Sequence, residues 1–98
     1  IDTGNTMGGG ADPIELVKRY PHRTEIAHFK GYSAENTYVT PVWEAEIDGE
    51  KLLDTLLYDG DAKVLSIEFG RRGDYIPFER AARSYTWLAD QLKAKNLL

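Results

Sequence analysis

Asp2, His28 and Glu68 are the residues of this chain whose types and placement point to chemistry. Two carboxylates and an imidazole form a donor set for a divalent cation, and a carboxylate in such a set can also carry protons. Each lies at or near the end of a short apolar stretch: Asp2 after Ile1, His28 inside Thr24-Glu-Ile-Ala-His-Phe-Lys30, and Glu68 near the close of Lys63-Val-Leu-Ser-Ile-Glu-Phe-Gly70. If the last stretch is a strand, Leu65, Ile67 and Phe69 take one face and Val64, Ser66 and Glu68 the other. A charge at the end of such a strand is costly unless something pairs with it. Taken alone, His28 reads more readily as a histidine satisfied by core hydrogen bonds than as a ligand. Three ligand-type residues, one at the carboxyl end of each strand, reverse that balance.

The elements that must position them follow from local signals. Ile1-Asp2-Thr3-Gly4-Asn5, with no initiator methionine, reads as the last turn of a strand whose earlier residues are absent, as if the chain were cut inside a domain. Thr3 to Ala11 holds four glycines and few apolar anchors, so a loop is expected there, either a flexible linker or a functional one. Asp12-Pro13-Ile14-Glu15 starts a helix that runs to about Tyr20, ends before Pro21 and is expected to bury Ile14 and Val17 with Leu16 or Tyr20. The second strand follows, with Ile26 and His28 on one face and Ala27 and Phe29 on the other; His22 falls before it in an exposed loop. Gly31 to Val42 is a long polar and aromatic connection in which Tyr32, Tyr38 and Trp43 could line a pocket, though packing is the simpler role for each. Asp48 caps a helix whose Leu52, Leu53, Leu56 and Leu57 form a core stripe. Beyond the third strand, Arg71 and Arg72 in a charged loop could neutralise a substrate phosphate or simply face solvent. The last helix is expected from about Ile76 to Lys95, with Phe78, Ala81, Ala82, Tyr85, Leu88, Ala89 and Leu92 inward and Arg80, Arg83 and Lys93 on a solvated face.

Strand end, helix, strand, helix, strand, helix is the alternation of an α/β fold with parallel strands, and ligands in such folds gather at the carboxyl ends of the strands. The 98 residues, 42% of them hydrophobic and 11% aromatic, suit one globular domain or part of one. A net charge of −4 with both signs interspersed offers no basic stripe for nucleic acid and no polybasic membrane patch. With no cysteine, no signal segment and no apolar run near the ~20 residues of a membrane span, a cytoplasmic location is expected.

Asp2-Thr-Gly-Asn5, the Gly-Gly-Ala-Asp-Pro of Gly9 to Pro13, Arg23 to Lys30 as Arg-x-x-x-x-His-x-Lys, Glu46-Ile-Asp48 and Ser66-Ile-Glu68 together carry a resemblance. Across nearly its whole length the chain resembles the carboxyl-terminal part of the sugar phosphate isomerase/epimerase superfamily. These are xylose-isomerase-like TIM barrels that include ketose 3-epimerases, inosose dehydratases and family-2 apurinic endonucleases. The resemblance implies a partial (β/α)8 barrel: the end of strand six, then strands seven and eight with their helices, over residues 1–98. It implies a divalent metal (Mn, Mg, Co or Zn) held by a glutamate, an aspartate, a histidine and a second glutamate. Asp2, His28 and Glu68 match the last three, and the first would lie upstream. Where many members have a histidine three residues after the aspartate, this chain has Asn5, an amide that can bond a hydroxyl but cannot act as a general acid. Many also carry an aspartate where this chain has Gly31.

The implied activity is isomerisation or epimerisation of a sugar or sugar phosphate through an enediolate, with Glu68 both metal ligand and acid/base. Asn5, Lys30 and Arg71 are the candidate substrate contacts, Lys30 alternatively completing a strand-end ion pair. Rival readings are an inosose-type dehydratase, an abasic-site endonuclease needing more histidines and a basic face, and an inactive fragment. An incomplete barrel leaves strand edges open, so a second copy or a complementing amino-terminal fragment is expected as partner, and the chain alone is expected to be inactive.

Overall fold

Asp12 stops the chain's first glycine-rich stretch by capping a helix: its carboxylate accepts from the Ile14 amide at 2.8 Å, and Pro13 supplies the first helical residue. The computed structural model describes residues 1–70 and 73–98. Among them the order is α1 (Thr3–Gly8), α2 (Pro13–Arg19), β1 (Ile26–Phe29), α3 (Gly49–Asp54), β2 (Val64–Ile67) and α4 (Phe78–Ala94). A 3-10 turn, Val42–Glu44, precedes α3, and a wide π-helical turn, Thr55–Asp59, follows it. No helix among these residues is long and apolar enough to cross a membrane.

The two strands pair in parallel, Ile26 opposite Val64 and Phe29 opposite Ile67. On the other side of β1, Asp2 forms a parallel bridge with His28, and the His28 amide donates to the Ile1 carbonyl at 2.8 Å. The result is an α/β domain with a two-stranded parallel sheet, four α-helices and one extra bridge at the sheet's edge. Parallel strands are joined through α3, as the alternation predicts.

Only one face of the sheet is well covered. Ala27 and Phe29 are buried with Ile14 and Val17 of α2, Leu52 and Leu53 of α3, and Leu88 of α4. Ile26 is 56% exposed, Val64 is 50% exposed, and His28 and Ser66 share their open face. Alternation therefore places the ligand-type residues on the uncovered side.

Three expectations are corrected. Thr3 to Gly8 is helical rather than a loop, because Asp2 caps it and Thr3 ties its first turn to β1 through bonds to the Lys30 carbonyl (2.6 Å) and amide (3.0 Å). Cap and tertiary bonds outweigh the poor helix propensity of its two glycines. The face of α4 matches the expected stripe only in part: Leu88 and Ala89 are buried as expected, together with Ser84, while Phe78 is 85% and Tyr85 66% exposed. Trp87 takes the inward position instead, stacked on Phe29 and tilted against Trp43, each at 6.1 Å between ring centroids. Arg80 is not on a solvated face; it donates to the Val39 carbonyl at 2.8 Å and ties α4 to the long connection.

Candidate metal centre

Asp2, His28 and Glu68 lie at the ends of three neighbouring stretches of backbone. Asp2 uses Oδ1 to cap α1, accepting from the Asn5 amide at 2.8 Å, which leaves Oδ2 turned toward β1. His28 is held by its bridge to Asp2 on one side and its pairing with Ser66 on the other. Glu68, two residues past Ser66 and just beyond β2, reaches back toward the same ring. His28 Nδ1 stands 3.7 Å from Asp2 Oδ2 and 2.8 Å from Glu68 Oε2, and one ligand atom of each residue falls within 4.8 Å of the other two.

Lys30 lies beneath this trio with only 3% of its side chain exposed. Its ammonium is 3.3 Å from Asp2 Oδ2, 3.5 Å from Glu68 Oε1 and 3.4 Å from Asn5 Oδ1, and it stands 5.3 Å from the centre of the Tyr38 ring. The strand-end ion pair read for Lys30 in the sequence is formed. Gly4 makes this burial possible, since a Cβ there would stand 2.5 and 2.6 Å from the Lys30 Cγ and Cδ. Asn5 is exposed at the rim. Arg71 lies outside the described residues.

The residues fit a divalent cation on two counts. Ligands about 2.1 Å from one ion stand roughly 3–4 Å apart, so the trio needs only small adjustments to share one. Glu68 Oε2 is shielded from solvent and accepts no hydrogen bond from the described residues, although the imidazole nitrogen is 2.8 Å away. At this distance a proton on Nδ1 or a cation shared by the two atoms would satisfy the pair.

Gly31, where the resembling family often has an aspartate, admits no side chain: a Cβ would meet the Thr40 carbonyl oxygen at 2.4 Å and that of Pro41 at 2.7 Å. The long connection closes over this glycine instead. Tyr38 under the Lys30 ammonium was one of several aromatics in that connection, and no local spacing distinguished it. At the opposite end of the sheet His22 and Asp61 pair at 2.9 Å, both exposed and both with positive φ, 61° and 59°. Their separation in sequence hides this pair from any motif reading.

Comparison with models of protein families, with curated proteins and with solved structures yields no match.

Proposed function

We propose that the chain is the carboxyl-terminal part of a (β/α)8 barrel, and that the protein containing it is a divalent-metal-dependent sugar or sugar phosphate isomerase or epimerase working through an enediolate. The observation that carries this reading is the convergence of Asp2, His28 and Glu68 within 4.8 Å at the carboxyl ends of parallel-paired backbone. The open face that bears them supports it. Ile26 and Val64 are apolar yet about half exposed, as expected of strands whose inner face is completed by further strands.

A bound divalent cation would supply the charge that lowers the cost of an enediolate. Asp2 Oδ2, the His28 imidazole and Glu68 Oε2 would hold it. Glu68 is 40% exposed at the site mouth and can take a proton from a carbon beside the sugar carbonyl and return it. Asn5, exposed next to Asp2, can orient a substrate hydroxyl through its amide but cannot supply a proton as an acid. A second acid/base on an upstream strand would serve the opposite face of the substrate.

Glu68→Gln in the protein that contains this chain tests the assignment. Turnover on its sugar should fall by at least roughly a hundredfold with the circular dichroism spectrum unchanged. Near-normal turnover would remove Glu68 from the mechanism.

A further inference from the structure

A lysine is seldom buried, and one placed between two proposed ligands of a cation needs a reason. Lys30 is 3% exposed, its backbone is clamped by Thr3, and its stem occupies space that only a glycine at position 4 leaves free. Its ammonium meets Asp2 Oδ2, Glu68 Oε1 and Asn5 Oδ1 and faces the Tyr38 ring. With these partners it is a buried, internal charge of the site. Any cation that takes Asp2 Oδ2 must share that oxygen with the ammonium and be repelled by it.

We propose that Lys30 is a resident counter-cation: it holds Asp2 and Glu68 in place in the metal-free chain and, by its charge, keeps divalent metal binding weak and exchangeable. This inference rests on the metal reading of Asp2, His28 and Glu68. Two opposing effects follow from removing the charge. The carboxylates lose a partner that orients them, which weakens metal binding, and they lose a like charge beside the metal, which strengthens it. Coulomb repulsion between a divalent ion and the ammonium at such short range is the larger effect even at an effective dielectric of about 20. The carboxylates left facing one another then need the metal more.

The test is a Mn²⁺ titration of the chain and its variants by electron paramagnetic resonance, with metal-free thermal unfolding measured alongside. Lys30→Met should bind Mn²⁺ roughly tenfold more tightly or better and melt at a lower temperature without metal. Lys30→Arg, which keeps the charge, should retain the weak affinity of the parent chain. Lys30→Gln, which also removes the charge, should reproduce the tighter binding even if Lys30→Met does not fold. A loss of packing alone would weaken binding in all the variants. Equal or weaker Mn²⁺ affinity in both Lys30→Met and Lys30→Gln would overturn the counter-cation role while leaving the metal site in place. No saturable Mn²⁺ binding by any form would overturn the metal reading and this inference together.

Discussion

Asp2 does two jobs with its two oxygens. Oδ1 caps α1 through the Asn5 amide at 2.8 Å, and Oδ2 faces Lys30 at 3.3 Å and His28 at 3.7 Å. Removing it therefore costs a helix cap and leaves a buried ammonium with fewer acceptors. Asp2→Ala should lower the stability of the metal-free chain by about 1–3 kcal/mol in urea unfolding. Asp2→Asn keeps an acceptor for the cap and should recover part of that loss. Equal losses for the two would show that the cap contributes little and that the charge facing Lys30 accounts for the loss. Lys95 offers a residue-scale check at the other end of the chain. The Asp54 carboxylate, 2.6 Å away, holds the Lys95 ammonium above its ordinary range. Because the folded value is the higher one, this pair supports the fold below the ordinary lysine range and is lost as pH rises through the raised value. Asp54→Asn should accordingly lower the melting temperature at neutral pH and narrow its gap to the parent chain at strongly alkaline pH.

Elements were legible where a local signal was strong. Asp12-Pro13 and Asp48 cap the helices they were expected to cap, and the alternation of Ile26 to Phe29 gives its exposed and buried faces correctly. The expected placement of Asp2, His28 and Glu68 at carboxyl ends also matches their positions, since it needs only the strands and their parallel order. What failed depends on contacts between distant residues. The helix α1 exists through bonds to Lys30, 27 positions away, and the burial of Lys30 depends on Gly4. In α4 several apolar residues flank two possible inward faces, and the choice falls to Trp87 because Phe29 and Trp43 wait on that side. Periodicity alone cannot choose between faces of similar apolar content. Phe78→Ser and Tyr85→Ser should each change stability by less than about 0.5 kcal/mol, whereas Leu88→Ala should cost about 2–5 kcal/mol. Large losses from both serine variants would restore the face read from the sequence.

At the scale of the whole molecule, coverage is uneven. The helices bury one face of the sheet, which among the described residues has two strands, and β2 has no strand partner on its outer edge there, with Leu65 and Ile67 only half buried. A groove of about 580 Å³ runs beside that edge between β2 and α4, lined by Leu57, Leu65, Ile67, Leu88 and Leu92 among others. Its lining is mainly apolar, with Lys63 and Tyr85 among the polar groups. Open edges and apolar grooves favour association. Light scattering should therefore give a mass above the 11.1 kDa of one chain at high concentration, and Leu65→Lys should reduce it. A strictly monomeric chain would mean that the half-buried edge is tolerated as it stands.

The central claim is that Asp2, His28 and Glu68 form one cation site, and paramagnetic broadening of amide signals by Mn²⁺ tests it most directly. Substoichiometric Mn²⁺ added to the ¹⁵N-labelled chain should broaden the amides of Asp2, Thr3, His28 and Glu68 first, leaving His22 and Asp61 at the opposite end of the sheet sharp. Broadening centred on the exposed His22–Asp61 pair, or spread evenly over the acidic surface, would contradict the account.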